Sequence, residues 1–120
     1  MDIIAKLQIK PEQQVAIVAD PAVEVPTVVA ERATALAAPG TADVVVAFAL
    51  VRADLAGVAA PALDAARQDR LAWIAYPKAG KLHTDLNRDT LARALAADGV
   101  QPVRQVAIDE IWSALRFRPA

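Results

Sequence analysis

The chain has 120 residues, 56% hydrophobic and 22% charged, with a formal net charge of −1. This length predicts one domain, residues 1–120, and the apolar content excludes a largely disordered chain. A net charge near zero gives no general electrostatic attraction to nucleic acid or to an anionic membrane, so neither partner is expected. Because the chain has no cysteine, disulfides and thiolate chemistry are excluded.

The beginning of the chain predicts no targeting segment. Met1-Asp2-Ile3-Ile4 lacks the basic region and the apolar stretch of a secretory signal. No apolar run approaches the ~18 residues that a membrane helix needs. We therefore expect a cytoplasmic protein without a membrane span.

The first predicted elements lie before residue 20. Ile3, Ile4 and Leu7 form a short amphipathic pattern that fits a helix lying across a sheet. The β-branched run 15–19 ends at Asp20-Pro21 and predicts the first strand.

The segment after this strand has two interpretations. Residues 27–38 fit a helix, which is the interpretation we prefer. An edge strand is the alternative, because β-branched residues recur there: Val23, Val25, Val28 and Val29.

Two later runs predict strands that are buried on both faces. Residues 44–51 and 71–76 are apolar without alternation, which is typical of a parallel sheet covered by helices. The connections before, between and after these runs contain 24, 19 and 26 residues. Each is longer than the dozen or so residues that a parallel crossover needs.

Helix boundaries can be read in two of these connections. Gly57 and Pro61 interrupt residues 54–68, which predicts two helical pieces with the proline in a first turn. Asn87 predicts the start of a third helix and Gly99 its end.

The end of the chain predicts an antiparallel hairpin. Residues 103–108 and 111–118 are separated only by Asp109-Glu110. Glutamate disfavours a positive φ, so we expect a loop wider than two residues.

Alternation along the last strand predicts one core face and one basic face that carries an indole. Trp112, Arg116 and Arg118 lie on the basic face and form a candidate surface for a protein partner. The simpler alternative is that Trp112 packs under a neighbouring loop with the arginines over it.

The element order predicts an α/β fold: a three-layer, Rossmann-like domain with a mainly parallel sheet of about five strands that ends in an antiparallel hairpin. It resembles the second half of class I methyltransferase-like domains, and residues 9–15 resemble the lead into their first strand. Those enzymes place glycines directly after that strand, whereas this chain has Asp20-Pro21-Ala22-Val23 and no glycine before Gly40. Binding of S-adenosylmethionine or a dinucleotide in the usual manner is therefore not expected, and no cofactor is predicted.

The amino-acid sequence of the second half shows a further resemblance. The segments WIAYPK (73–78), TDLNRD (84–89) and AIDEIWSALRFR (107–118) resemble small bacterial proteins of an uncharacterised domain-of-unknown-function family. This resemblance supports the fold and implies no known activity.

A candidate ligand site follows from the predicted sheet. Ligands of parallel sheets settle beyond the carboxyl ends of the strands, which here points to residues 76–88. The second half of the chain also has nine basic and seven acidic residues, against four and seven in the first half. We predict an anion site, for phosphate or carboxylate, from the polar residues of this loop: Lys78, Lys81, His83, Thr84, Asp85 and Arg88.

Three alternatives remain open for this loop. In the first alternative, the charged side chains of the loop are only solvated, and Thr84 and Asp85 only help to start a helix. Alternatively, His83 or Asp85 is the general acid or base of a small enzyme completed by a second subunit. A single histidine without cysteine predicts no metal site, and Ser113, the only serine, lies outside any Gly-x-Ser-x-Gly elbow. In the third alternative, the protein is a structural module for oligomerisation.

The leading hypothesis is a non-catalytic or degenerate Rossmann-like domain that binds a small anion or a protein partner.

Overall fold

A computed structural model describes residues 2–120. The first three strands form at runs that are rich in apolar and β-branched residues, and every residue of the second and third strands is buried. The strands are β1 (Val15–Ala19), β2 (Val44–Phe48), β3 (Leu71–Pro77), β4 (Val100–Ala107) and β5 (Trp112–Pro119). They form one sheet in the order β1-β2-β3-β5-β4.

One strand of the sheet, β5, runs opposite to the other four. β1 pairs with β2 and β2 with β3 in parallel, whereas β3 with β5 and β5 with β4 are antiparallel pairs. The prediction of a mixed α/β fold with a terminal hairpin is confirmed. The prediction of mainly parallel pairing is confirmed for β1, β2 and β3. The remaining two pairs are antiparallel, because the reversed strand β5 inserts between β3 and β4.

Each face of the sheet carries a hydrophobic core. On one face Val45, Ile74 and Leu115 pack with Leu63 and Leu91 from the helices after β2 and β3. On the other face the strands pack against residues from the beginning of the chain, and this second core includes Leu7, Val29, Phe48, Trp73 and Trp112.

This arrangement corrects the prediction of a basic face on β5. Trp112 is 3% exposed and Ala114 is fully buried, so the first half of that face belongs to the second core. Only Arg116, which is partly buried, and Arg118, which is exposed, reach solvent from it.

The two helices before β2 are short. α1 (Ile3–Lys6) begins at Asp2, whose side chain accepts a hydrogen bond from the Ala5 N–H. α2 (Thr27–Ala30) covers only the beginning of the segment 27–38, and neither the long helix nor the edge strand forms. Thr34 instead exchanges two hydrogen bonds with Val15, through its backbone N–H and its hydroxyl oxygen, and so occupies the edge of β1.

The later helices follow the predicted boundaries. A 3-10 turn (Arg52–Asp54) leads into α3 (Leu55–Val58) and α4 (Ala60–Arg67), and Pro61 lies in the first turn of α4. The Asn87 side chain caps α5 (Arg88–Leu95) by accepting from the Thr90 N–H at 2.9 Å. A 3-10 turn (Ala96–Asp98) then ends at Gly99, whose φ of +77° is accessible to glycine at little cost.

The hairpin loop is wider than two residues, as expected. It spans 108–111, and Asp109 Oδ1 accepts hydrogen bonds from the N–H groups of Ile111 (2.8 Å) and Trp112 (2.7 Å). No helix within residues 2–120 has the length and apolar content needed to cross a bilayer.

Connections on opposite faces open a crevice at one edge of the sheet. The loop after β1 leads to α2 on the face of the second core, whereas the loop after β2 leads to α3 and α4 on the other face. Neighbouring loops that diverge in this way leave space beyond the carboxyl ends of their strands.

Candidate functional site

A cavity of about 520 Å³ occupies this crevice, and we call it the carboxyl-edge cavity. Four segments contribute to it: the loop after β1, the residue Leu50 after β2, the loop after β3 and the hairpin turn. Its volume falls within the roughly 300–1,000 Å³ of small-molecule sites. The main apolar side chains that line it are Val23, Val25, Leu50, Leu82, Ile111 and Trp112.

The polar lining of the cavity is acidic. Asp109 holds the hairpin turn through Oδ1, while the side chains of Glu24, Thr27 and His83 make no hydrogen bond within residues 2–120. Of the described residues, two carboxylates and neither lysine nor arginine line this space. The cavity therefore favours a hydrogen-bond donor or a positive charge over an anion.

One wall of the cavity is a strained turn. Leu82 and His83 have φ values of +52° and +56°, a region that costs a non-glycine residue on the order of 1–3 kcal/mol. Hydrogen bonds hold the turn at both ends: Lys78 N–H donates to the Ile111 carbonyl at 2.7 Å, and the Thr84 hydroxyl donates to the Leu50 carbonyl at 2.6 Å. The constraint keeps Leu82, which is 49% exposed, and His83 at the cavity.

The predicted loop lies at the predicted edge, but its residues do not converge. Of the six predicted site residues, only His83 lines the cavity. Thr84 is bound to Leu50 and caps the Leu86 N–H, and Asp85 accepts the Arg52 N–H at 2.8 Å.

The remaining charged side chains of the loop lie outside the cavity. Arg88 is 3.5 Å from the Asp89 carboxylate in an exposed pair. The side chains of Lys78 and Lys81 have no hydrogen-bond partner within residues 2–120. The structure therefore does not assemble the predicted anion site around the cavity.

The predicted partner surface is divided between two places. Trp112 lies at the cavity and packs edge-to-face on Phe48, with ring centroids 5.1 Å apart. At the other end of β5, Arg116 donates to Gln8 Oε1 (2.8 Å) and Arg118 forms two hydrogen bonds with the Asp69 carboxylate (2.9 and 3.0 Å). The three side chains therefore do not form one surface.

The sequence did not lead to a prediction that the loop after β1 lines the cavity. Val23, Glu24 and Val25 follow β1 directly, and the rule on carboxyl ends applies to that strand as well as to β3. Their β-branched pattern fits either a helix or an edge strand and does not by itself indicate a ligand site.

Tyr76, near the end of β3, faces the other core and allows a titration test. Burial raises the pKa of its phenol, although Arg88 and a hydrogen bond from Gln105 Nε2 (3.0 Å) oppose this rise. The folded pKa lies above the unfolded one of about 10, so this contribution to stability is present below the unfolded pKa. It is lost as the pH rises through the folded pKa.

The chain has a single tyrosine, so phenolate absorbance reports this group alone. We expect a higher titration midpoint in the native protein than in urea. Tyr76→Phe should abolish both the signal and this part of the alkaline loss of stability. Equal midpoints in the two states would contradict the effect of burial.

Comparison with known proteins finds no family model that matches the chain and no similar curated protein or solved structure. Among residues 2–120, no three histidine, aspartate or glutamate side chains are grouped so that they could hold a metal ion. The feature of this mixed α/β fold that bears on function is therefore the largely apolar cavity at the carboxyl edge of its parallel strands.

Proposed function

We propose that this protein is a non-catalytic, degenerate Rossmann-like domain that binds a small molecule in the carboxyl-edge cavity. The observation that carries this proposal is the position of a mainly apolar cavity of about 520 Å³ where the loops after the parallel strands diverge. Crossovers on both faces support the Rossmann-like interpretation. The arrangement is degenerate because β1, β2 and β3 follow one another without a reversal of strand order.

The lining indicates what kind of ligand this cavity takes. Apolar side chains from all four segments suit an apolar body, and the carboxylates of Glu24 and Asp109 suit an amino group or another donor. A small cation with an apolar part meets both requirements.

Two observations favour binding over catalysis. His83 makes no hydrogen bond to a carboxylate within residues 2–120, so nothing in that part of the chain orients it as a general base. The Asp85 carboxylate is engaged with the Arg52 N–H at 2.8 Å. The enzyme alternative therefore requires groups from a second subunit.

A thermal-shift titration with small aryl-alkyl amines tests the proposal, with the corresponding carboxylates and inorganic phosphate run in parallel. A ligand present at 100 times its Kd stabilises the folded state by about 2.7 kcal/mol, which raises the midpoint by several degrees. We expect this shift for the amines. Glu24→Gln should remove the preference for amines over neutral analogues, because it replaces the negative charge of an exposed side chain in the cavity wall by a neutral amide.

The matched control is Lys78→Ala with Lys81→Ala, which removes two positive charges that lie outside the cavity. The control should leave binding of the amines unchanged. Stabilisation by phosphate that this double variant abolishes would place an anion on the loop and overturn the cavity proposal. A flat response to every compound would also overturn it.

A further inference from the structure

A second depression lies on the other face of the sheet, between α3 and α4 on one side and α5 on the other. We call it the helix groove, and its volume is about 440 Å³. Its floor comprises the apolar residues Leu55, Ala56, Ala60, Leu63, Ala94 and Leu95; the three leucines are core residues only 3–7% exposed, whereas Ala56 and Ala94 are exposed. Three alanines and the edges of three leucines would not by themselves define a site; the charges at the two ends of the groove do.

One end of the helix groove is closed by a bridge between helices. Arg67, at the end of α4, pairs with the Asp64 carboxylate and donates to the Asp98 carbonyl, which follows α5, at 2.9 Å. Its guanidinium is thus already occupied by groups of the protein. The bridge limits how far a ligand can extend in this direction.

The opposite end is open and cationic. An adjoining depression of about 220 Å³ is lined by Arg52, Thr90, Arg93 and Ala94. Two of these residues, Arg52 and Ala94, also line the helix groove. The side chains of Arg52 and Arg93 make no ion pair or hydrogen bond within residues 2–120. The backbone of Arg52 is anchored, because its N–H donates to Asp85 Oδ1 at 2.8 Å.

We propose that the helix groove binds a monomeric amphipathic anion, namely a carboxylate or phosphate with an unbranched apolar tail. The head group lies between Arg52 and Arg93, since guanidinium groups bind carboxylate and phosphate oxygens in pairs. The tail lies over the leucines and alanines of the floor and ends at the Arg67 bridge. The helix groove shares no lining residue with the carboxyl-edge cavity and takes a ligand of opposite charge, so the two sites are independent.

Chain length gives the sharpest test. Burial of one methylene contributes about 0.8 kcal/mol, which corresponds to a roughly fourfold gain in affinity. Calorimetric titration of the full chain with straight-chain alkyl carboxylates and alkyl phosphates, below their micelle concentrations, should show this gain for each added methylene. The gain should stop once the tail reaches the Arg67 bridge.

Three variants test the head and the tail separately. Arg52→Gln and Arg93→Gln should each weaken binding by about tenfold or more, because each removes charge-assisted hydrogen bonds. Ala56→Leu, at an exposed position of α3 that lines the groove and not the head-group depression, should block long tails and leave a short anion unaffected. Arg104→Gln is the matched control, since Arg104 is an exposed arginine on β4 outside the groove.

Circular dichroism establishes that each variant is folded before it is titrated, and Arg52→Lys, which keeps the charge and loses the paired geometry, should have intermediate affinity. Absence of binding, affinity independent of tail length, or equal affinity in the arginine variants would each overturn the proposal. Binding to vesicles of anionic lipid but to no monomeric amphiphile would also overturn it in favour of a membrane surface.

Discussion

Replacement of Trp73 by alanine is expected to lower the free energy of unfolding by about 3–5 kcal/mol. Trp73 is fully buried in the second core, and its Nε1–H donates to the Leu7 carbonyl at 3.0 Å. The substitution therefore leaves a large void and an unpaired buried carbonyl, at the contact that ties the end of α1 to β3. Such a loss is a large part of the roughly 5–15 kcal/mol that stabilises a typical domain.

Urea denaturation followed by circular dichroism measures this effect. Trp73→Phe keeps most of the ring volume and loses the hydrogen bond, so we expect a smaller loss of about 1–3 kcal/mol. This variant keeps the prediction testable if the alanine variant does not fold. Leu36→Ala is the control, because Leu36 is 102% exposed and should tolerate the change. A Trp73→Ala protein as stable as the parent would contradict the packing described here.

Replacement of Trp112 by alanine is expected to cost a similar amount, about 3–5 kcal/mol, and to impair ligand binding as well. The indole is 3% exposed, packs on Phe48 at an interplanar angle of 80° and lines the carboxyl-edge cavity. Its removal thus opens the cavity into the second core. A surface anchor for a partner protein would behave differently, since its loss would weaken association and leave stability nearly unchanged.

A double-mutant cycle separates the aromatic contact from burial. Trp112→Ala, Phe48→Ala and the double variant are unfolded in urea, and edge-to-face pairs contribute about 0.5–1.5 kcal/mol beyond their buried area. We expect a coupling energy of that size. Light scattering provides the second readout: an unchanged molar mass is expected, whereas dissociation of an oligomer without loss of stability would return Trp112 to the role of an interface residue.

The two proposed sites divide the molecule by charge. The carboxyl-edge cavity carries Glu24 and Asp109, whereas the helix groove opens between Arg52 and Arg93. A chain with a net charge of only −1 thus presents local surfaces of opposite sign. Net charge alone therefore says little about which small ligands the protein attracts.

Local patterns were sufficient for many of the elements. β1 and β3 lie where β-branched and apolar runs predicted them, and α5 begins after Asn87 because the side chain of an asparagine can reach an N–H group three residues ahead. The interruption at Gly57 and Pro61 and the wide hairpin loop were also predictable. In each case the interaction that decides the structure lies within a few residues of the signal.

The position at which α2 ends depended on contacts with residues that are distant in the chain. Thr34 occupies the edge of β1 through its hydrogen bonds with Val15, and nothing near residue 34 in the chain indicates that partner. Arg32 likewise ends on the carbonyls of Lys10 (2.6 Å) and Gln13 (2.9 Å). These long-range bonds compete with helix formation after residue 30, so a helical pattern could not be extended there.

The sequence by itself determined the fold class, most strand positions and the edge of the sheet at which a ligand site was expected, because hydrophobic periodicity and capping act over short distances. Only the tertiary structure decided which side chains meet. It placed His83 at the cavity, tied Thr84 and Asp85 into the backbone of the preceding connection, and buried Trp112 against Phe48. The physical reason is that a polar side chain in a loop binds whichever backbone group the folded chain brings near it, and that group lies 33 or 34 residues away here.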